Sequence, residues 1–554
     1  MADRFPLIVD SSAQQLQELA VGDNLNLASS GLINADNIQT SGLNVGVMTA
    51  TSFSGDGSQL TNLPAAGSST ELTASGTLAN GSKVIVNADG TVSVVAQTET
   101  TGPGGAAVPE IGSEVVFESA AIRHVSSTFD STNGRVVIAY RDDGNSYYGT
   151  AVVGQVSGSS ITFGTPTVFE SALTQYTSTV HDSANNKIVI AYSDDGNSSR
   201  GTAVVGTIDT TDNSIDFGSP VVFRSASCTY ISAVYDASAQ KVVVAYQDGG
   251  NSDRGYTSVL TVSGTSISYG SYRQFESGRV DAIATTYDST NGKVVIAYQD
   301  GGSSYYGTAI VAYINSGDTE NNFGSPTIFE YAGTHDLSAA YDSSNQKVVI
   351  VYKDQGNSWA GTAIVGEVSG NSISFNGTAS TFTSSPGSLT NNAVVYDSSE
   401  QKVVIAYEDS GNSGYGTVVM GEVSGNNISF GSGTVFNTAT TYYNSPSYDS
   451  TNNRTVIPYK DQGNSGYGTG ITFSPRTISK NLTSENYIGI SDGAYTNGQT
   501  ATIQLIGSVD DAQSSLTPGQ KYYVQNDGTL STTADNPSVL AGTAIASTKL
   551  LIKK

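Results

Sequence analysis

Short apolar stretches separated by turn-forming residues follow one another along most of this chain of 554 residues. One set begins with the alternating stretch "HVSSTFD" at 124–130, followed by the turn "STNG" and the continuous β-branched run "RVVIAY" at 135–140. After a second turn, "DDGNSYYG", come the apolar stretches "TAVVGQV" at 150–156 and "ITFGTPTVFES" at 161–171. Alternation indicates a strand with one buried face, and a continuous run indicates a strand covered on both faces. The set therefore predicts four antiparallel strands.

This four-strand pattern recurs along the chain. An aspartate that opens the second turn returns at steps of 52 to 55 residues. The turn aspartates are Asp142, Asp194, Asp248, Asp300, Asp354, Asp409 and Asp461. A second aspartate keeps the same steps from Asp130 to Asp449. Four strands in a unit of about 50 residues are typical of a β-propeller blade, so the repeat predicts seven blades.

The two ends of the repeat array indicate how it closes. The last unit ends with "GTGITFS" at 468–474 and lacks a fourth strand. A matching stretch, "SEVVFES", precedes the first unit at 113–119. We expect this stretch to complete the last blade, because a closed array leaves no free sheet edge. The predicted fold is therefore all-β, with a seven-bladed β-propeller at 113–475.

The N-terminal flank has a different composition. Residues 1–70 contain a short predicted helix after the cap-like Asp10-Ser11, followed by Ser, Asn and Gly with widely spaced Leu, Ile and Val. So little apolar surface does not form an independent core. We interpret this part as a thin attachment or stalk region that gains burial from partner copies, and a flexible linker is the alternative.

Two further segments flank the propeller. Residues 71–112 predict a small β hairpin around Asp89-Gly90 and a linker rich in Gly and Pro. Residues 476–554 contain several more apolar stretches between turns. They predict a small, separate C-terminal β domain.

Charge and cysteine content exclude several classes of protein. The formal net charge is −25, so nucleic acids and anionic membrane surfaces are repelled, and we expect no nucleic-acid partner. Cys228 is the only cysteine, which rules out an intrachain disulfide and a cysteine-based metal or redox motif. No run approaches the ~20 apolar residues of a membrane span, and the apolar patch at 6–9 is too short for a secretory signal. We therefore expect no membrane insertion and synthesis in a cytoplasm.

Parts of the chain resemble known modules. The opening "MADRFPLIVDSS", the segment "TATSFSGDGSQLTNLP" at 49–64, and the closing "GQKYYVQNDGTLSTT" and "AGTAIASTKLLIKK" resemble tail-fibre and other virion structural proteins of tailed phages that infect marine cyanobacteria. The propeller units are similar to repeats of the same group. The resemblance implies a virion appendage made in the host cytoplasm, with its N-terminal region attached to tail or baseplate proteins and its distal part on the host. A stalk of this composition is most easily stabilised as a homotrimer.

The recurring Asp-x-Gly-Asn-Ser turn has a catalytic and a structural interpretation. The stretch "SDDGNSS" from Ser193 is similar to the Asp-box of sialidases and other glycosidases, but Asn197, Ser199 and Arg200 depart from that motif. In those families the Asp-box is itself a fold element. A glycosidase needs two carboxylates facing each other across a cleft, whereas these aspartates recur in every unit. Because an aspartate before a glycine accepts backbone N–H groups of a tight turn, we predict a structural use and no catalytic residue.

Neither a metal nor a cofactor is predicted. Two turns, at Asp142 and Asp194, carry a second aspartate, and such paired carboxylates are calcium ligands. The other five units have Gly, Gln or Ser instead, which argues against a set of calcium sites. The histidines are His124, His181 and His335. They fall in different units, and no spacing joins them into a metal site or a catalytic triad.

The residues that vary inside this constant turn are the candidates for recognition. Two residues stand between the constant Ser and Gly of each unit, and most are aromatic or cationic. If the alternating strand is innermost, these turn tips share one face with the loops between units. Rings stack on sugar C–H faces and guanidinium groups bond hydroxyls, so we predict a glycan-binding face, with packing on the next blade as the alternative. The candidates are Tyr147, Tyr148, Arg200, Arg254, Tyr305, Tyr306, Trp359, Tyr415 and Tyr467.

Three functions are compatible with these features. The first is a non-enzymatic tail-fibre or tail-tip protein that binds a host-surface glycan or protein through the propeller. The second is a purely structural or decorating virion protein on the tail or capsid. The third is a propeller glycosidase, which the symmetric repetition of the acids disfavours. We expect the first.

Overall fold

The described part of the chain is built from β-strands. The computed structural model describes residues 7–10, 15–18, 69–100, 108–315, 317–383, 389–476, 478–535 and 537–553. None of these residues is in an α-helix, so the predicted all-β class is confirmed. This part of the chain has no helix long and apolar enough to cross a membrane. The chain divides into two compact units, residues 1–66 and 67–554.

The first unit contains a pair of strands where the sequence predicted a helix. Leu7–Asp10 pairs in antiparallel register with Gln15–Glu18. The helix prediction is therefore wrong. A helix this short is marginal on its own, and pairing with the preceding β-branched stretch satisfies its backbone groups instead. Apart from these two strands and residues 69–70, the predicted attachment region at 1–70 lies outside the described residues.

In the second unit, one arrangement of strands recurs seven times within the described part of 108–476. A long strand pairs through its second half with a second strand, the second strand pairs with a third strand, and the third strand pairs with a short outer strand. The third strand also pairs with the first half of the following long strand. Each full-length long strand therefore belongs to two sheets, because it completes one and opens the next.

The bounds of these strands follow the repeat. The long strands are Val115–Asp130, Thr167–Asp182, Val221–Asp236, Arg273–Asp288, Thr327–Asp342, the pair Ser380–Thr381 and Leu389–Asp397, and the pair Thr434–Tyr442 and Ser447–Asp449. The second strands are Arg135–Asp142, Lys187–Asp194, Lys241–Asp248, Lys293–Asp300, Lys347–Asp354, Lys402–Asp409 and Arg454–Asp461. The third strands are Tyr148–Ser157, Arg200–Asp209, Arg254–Ser263, Tyr306–Tyr313, Ala360–Ser369, Tyr415–Ser424 and Tyr467–Ser474. The outer strands are Glu110–Ile111, Ser160–Phe163, Ser214–Phe217, Ser266–Tyr269, Asn322–Phe323, Ser372–Ser374 and Asn427–Phe430.

The second strands form the core of the array. In Lys187–Asp194 every residue after the lysine is buried, because a neighbouring sheet covers each face. Apolar residues of successive units pack in shared clusters, and Val189 of one unit lies in the same cluster as Val244 and Tyr246 of the next. The continuous apolar runs of the sequence therefore mark the strands that hold adjacent sheets together.

A buried tyrosine in the second strand is tied to an acid of the long strand. The hydroxyl of Tyr192 donates to Glu170 at 2.9 Å, and that of Tyr298 donates to Glu276 at 3.0 Å. Burial raises the pKa of the Tyr192 phenol and of the Glu170 carboxyl. The hydrogen bond satisfies a hydroxyl that would otherwise be buried without a partner, so this acid has a structural use.

The array closes on itself through its two ends. The last third strand, Tyr467–Ser474, pairs with the first half of Val115–Asp130, as the stretch at 113–119 predicted. Glu110–Ile111 serves as the outer strand of this last sheet. The first and last units are also joined by a hydrogen bond of 2.9 Å from the Ser127 N–H to Ser445 Oγ. The hydrogen-bonded strand order thus returns to its starting point.

The segments on either side of the array share one sheet. Ser69–Thr73 pairs with Thr500–Gln504, and Lys83–Val86 pairs with Tyr487–Ser491. The predicted segments 71–112 and 476–554 are therefore not separate in the structure. A lone hairpin cannot bury its apolar face, and pairing with C-terminal strands buries it. We call this part the flanking domain.

The remaining strands of the flanking domain complete this sheet and form two more. The predicted hairpin around Asp89-Gly90 is present between Lys83–Val86 and Val92–Val94. Side chains from both segments, among them Ile85 and Val524, form a common core. Its other strands are Gln97–Glu99, Ile478–Lys480, Val509–Asp510, Lys521–Val524, Leu530–Ser531, Val539–Ala546 and Lys549–Ile552.

Closure predicts a specific disulfide. Val116 and Thr469 are Cα partners across the closing pair of strands, so a Val116→Cys/Thr469→Cys variant should oxidise to a species of altered mobility on a non-reducing gel. The matched control is Val168→Cys/Thr150→Cys, the equivalent pair inside the array. Native Cys228 is buried, and burial raises its thiol pKa, so it should not interfere. Oxidation of the control pair alone would contradict closure.

Candidate functional site

The turn between the second and third strands is held by its aspartate. Asp142 Oδ1 accepts hydrogen bonds from the backbone N–H groups of Gly144 at 2.9 Å and Asn145 at 3.1 Å. The equivalent aspartates are also buried and accept backbone N–H groups two or three residues ahead. Burial raises the pKa of Asp142 despite these bonds. Each such carboxylate is occupied by its own turn.

The glycine of the turn is required by close packing. A Cβ placed on Gly144 would lie 2.3 Å from the Cβ of Ala120 in the long strand, and one on Gly196 would lie 2.3 Å from that of Ala172. Any larger residue would push the turn off the sheet. The constant part of the motif thus fixes the position of the turn.

The first tip residue of each turn has left-handed backbone geometry. Tyr147, Tyr305 and Trp359 have φ of 65°, 62° and 66°. Left-handed geometry costs a non-glycine residue about 1 kcal/mol, and the equivalent Gly414 and Gly466 avoid that cost. Side chains are therefore retained at strained positions that two other units fill with glycine, and such strain is common at functional sites.

The two tip residues of a turn differ in exposure. The large aromatic residues at the first position project into solvent: Tyr147, Tyr305 and Trp359 are 50%, 48% and 36% exposed. The second ones open the third strand. Of these, Arg254 is exposed, and Tyr148, Arg200, Tyr306, Tyr415 and Tyr467 are half-buried. The sequence prediction treated both positions alike, whereas only the first is consistently available for contact when its residue is large.

Cationic and aromatic neighbours flank the exposed tips. The Arg141 guanidinium carbon lies 5.3 Å from the ring centroid of Tyr147. Lys353 Nζ lies 5.5 Å from the Trp359 ring, and the His335 ring centroid is 5.2 Å from that of Trp359. These neighbours belong to the same sheet as the tip that they contact. Among the described residues, no ring contact, hydrogen bond or ion pair joins predicted tip residues of different units.

The turn tips lie at the end of the array where the long strands pass from one unit to the next. The Tyr147 carbonyl accepts a hydrogen bond of 3.1 Å from the Thr174 N–H, and the Tyr305 carbonyl accepts one of 3.2 Å from Thr334. We call this end the tip face. In the five units with a full-length long strand, the connections between units, predicted as loops, are continuous strand with a β-bulge at their midpoint.

The bulges carry residues that the sequence analysis did not single out. At the bulge, or at the equivalent position of the two interrupted long strands, one residue other than glycine has φ between 46° and 55°. These bulge residues are His124, Tyr176, Tyr230, Ala282, Asp336, Asn391 and Tyr443. Their only signal in the sequence is that tyrosine stands three times at one position of the repeat.

Four bulge residues form a continuous row of rings, which we call the axial arc. The His124 ring lies 5.5 Å from that of Tyr443 and 5.1 Å from that of Tyr176, and Tyr176 lies 5.5 Å from Tyr230, all between centroids. The four residues come from four consecutive units of the closed array. The bulge therefore brings together side chains that are far apart in the sequence.

Burial and nearby charges shift the pKa values of groups around the axial arc. Burial, with the nearby Arg141 and Arg123 guanidinium groups, lowers the pKa of His124 to about 4. Both arginines form ion pairs with Asp143, at 2.7 Å and 3.0 Å. Across the array, the surrounding strands desolvate the Asp336 carboxyl and raise its pKa.

The histidines remain separate from any metal-binding arrangement. His124 and His335 contact aromatic rings, and His181 Nε2 lies 3.0 Å from Asp130 Oδ1. In the described ranges, no group of three or more His, Cys, Asp or Glu side chains is placed to hold a metal ion.

Comparisons with known proteins give structural likeness only. No family model and no curated protein matches the chain. A lectin of Burkholderia pseudomallei is similar with a TM-score of 0.47 and 10% identity, over 69% of this chain and 99% of that one. A protein of unknown function from Dyadobacter fermentans is similar with a TM-score of 0.41 and 12% identity, over 66% of this chain and 99% of that one.

Because the aspartate holds the turn and the tip side chain is exposed, we expect truncation of these two residues to change the stability by different amounts. Asp142→Ala should lower the free energy of unfolding by about 1 kcal/mol, because two backbone N–H groups lose their acceptor. Tyr147→Ala in the same turn should change it by less than about 0.5 kcal/mol. Urea unfolding of the full chain measures both. A larger loss for Tyr147→Ala would make the tip part of the scaffold.

The burial of His124 and its neighbouring arginines predict the pH at which its imidazole titrates. With only three histidines in the chain, histidine-labelled NMR can follow each imidazole, and His124→Gln assigns the signal. The His124 imidazole should titrate near pH 4 and be neutral at pH 7. Titration near pH 6.5 would mean that the ring is solvated and not packed in the axial arc.

Proposed function

We propose that the repeated sheets are the blades of a seven-bladed β-propeller at 113–475. The planes of successive rings in the axial arc are turned by 43°, 49° and 51°. One-seventh of a full turn, about 51°, relates neighbouring blades in such a propeller. A central cavity of about 500 Å³ supports the same arrangement. Long-strand residues of six units line it: Thr128, Val234, Thr286, Ala340, Val395 and Ser447.

We further propose that the protein is a non-enzymatic appendage of a phage virion, a tail-fibre or tail-tip protein, that binds a host-surface glycan or protein through the tip face. The observation that carries the binding function is that aromatic side chains are kept exposed on strained backbone of a rigid turn. Large rigid aromatic residues give contact area at low entropic cost, which suits a recognition surface. The phage setting is supported by the resemblance of the opening, 49–64 and closing segments.

The use of the acids favours binding over glycoside cleavage. The turn aspartates accept backbone N–H groups, as Asp142 does, and Glu170 and Glu276 accept tyrosine hydroxyls. A glycosidase would need two of its acids free on one cleft. The repeated acids are instead engaged in holding the sheets, so the propeller is proposed to recognise its target without cleaving it.

The remaining parts are assigned to attachment. Residues 1–70 are proposed to join tail or baseplate proteins, with three copies of the chain assembling around this stalk. The flanking domain joins the N-terminal side of the propeller to the C-terminal side of the chain through paired strands. It would therefore carry force from the attachment region to both ends of the closed array.

Cell binding by the full chain tests the proposal. Fluorescently labelled protein should bind cyanobacterial host cells, and a Tyr147→Ala/Tyr305→Ala/Trp359→Ala variant should bind at least about tenfold more weakly, as loss of aromatic anchors predicts. The matched control is Tyr269→Ala. This ring is 49% exposed but lies on an outer strand, so binding should be unchanged.

Other outcomes would decide against the proposal. If the folded native protein binds particles but no host cells, the structural or decorating role is the better account. If Tyr269→Ala lowers binding as much as the triple variant, recognition does not depend on the tip face.

A further inference from the structure

We propose that the axial arc is the sugar-contacting centre of the tip face and takes one neutral or amino sugar ring on the axis of the array. This inference rests on the proposed binding function and names where on the face the ligand lies. The tip residues are spread over separate turns, whereas the axial arc unites His124, Tyr176, Tyr230 and Tyr443 in one surface.

The geometry of the axial arc suits a single small ring. Neighbouring centroids are 5.1 to 5.5 Å apart. In an array of seven equal units, that separation places each centroid about 6 Å from the axis. A ligand ring on the axis can therefore contact several aromatic rings at once, which no single turn tip can offer.

Hydrogen-bonding groups of the arc are free. The hydroxyl of Tyr192, in the second strand, donates to Glu170. By contrast, the hydroxyls of Tyr176, Tyr230 and Tyr443 have no hydrogen-bond partner among the described residues. These phenols, half-buried at the centre of the tip face, are available to the hydroxyl groups of a ligand.

Backbone strain indicates that the arc is not merely a structural bulge. The φ values of Tyr176, Tyr230 and Tyr443 are 51°, 50° and 55°, in the left-handed region that glycine adopts without strain. Each tyrosine costs about 1 kcal/mol there. A bulge turns its side chain toward a functional site at the expense of regular pairing, as these bulges do toward the axis.

The two sides of the centre differ in a way that fits a sugar. Three units facing the arc carry Ala282, Asp336 and Asn391 in place of a ring. The arc gives an apolar wall for sugar C–H groups, and the Asp336 carboxylate opposite can bond hydroxyls, whereas the Asn391 amide oxygen already accepts the Tyr443 N–H. The Asp336 carboxylate accepts no hydrogen bond within the described part of the chain and would repel an acidic sugar. Arg123 and Arg141, beside the arc, are already paired with Asp143.

Saturation-transfer NMR on the full chain tests the inference. The probes are glucose, galactose, mannose and N-acetylglucosamine, with glucuronic acid as the acidic comparison. At least one neutral or amino sugar should receive transfer on its ring C–H protons, and glucuronic acid should not. Tyr176→Ala/Tyr230→Ala should weaken that binding roughly tenfold or more, because two stacking partners are lost.

A second variant keeps the test independent of folding of the alanine variant. Ala282→Tyr places at this bulge the residue that three other units carry there, so the backbone accommodates it. It should fill the open side of the centre and also weaken sugar binding, with an unchanged melting temperature. The control Tyr269→Ala should bind like the native protein.

The outcomes separate this inference from the proposed function. No transfer to any sugar, preference for glucuronic acid, or sugar binding that survives both axial variants would overturn the axial site. If the axial variants also bind host cells normally while the triple tip variant does not, the tip face still binds the host and only the axial site is wrong. If the native protein binds no cells, the proposed function itself fails.

Discussion

The long strand that completes one sheet and opens the next is the constraint on which the rest of the structure depends. It links each unit to its successor by backbone hydrogen bonds as well as by the chain, and the last unit is linked to the first through Val115–Asp130. No unit is left with a free edge at either end of the array, which removes the template for unwanted strand addition. Because the same strand passes the tip of the preceding turn, it also fixes where each tip lies.

This constraint divides the residues into two sets. Residues that hold the sheets, such as Asp142 with its turn N–H groups and Tyr192 with Glu170, are buried and occupied by partners. Residues at the tips and bulges are strained, partly open and varied in type, because the scaffold fixes their backbone without needing their side chains. A binding protein needs surface residues that can vary while its scaffold stays constant. The proposed binding function is based on this division between scaffold and surface residues.

Much of the array could be predicted from the sequence, because each unit repeats its signals. The aspartate turn, the continuous run of the second strand and the missing last strand together predicted the pairing of 113–119 with the final unit. The axial arc could not be predicted, since a bulge leaves the strand pattern intact on both sides and nothing local marks His124 as a neighbour of Tyr443. The flanking domain was also missed, because Ser69–Thr73 and Thr500–Gln504 pair across more than 400 residues.

Hydrogen–deuterium exchange of the full chain with and without host cell-surface extract tests the central claim most directly, since it asks which end of the array is covered on binding. The account predicts protection at the tip-face turns, such as 142–149, and at the bulges, such as 122–126. The opposite turns at 130–135 and 182–187 should exchange as in the free protein. Protection confined to those opposite turns or to the flanking domain would contradict the account, because the ligand would then bind away from the residues that the scaffold leaves free.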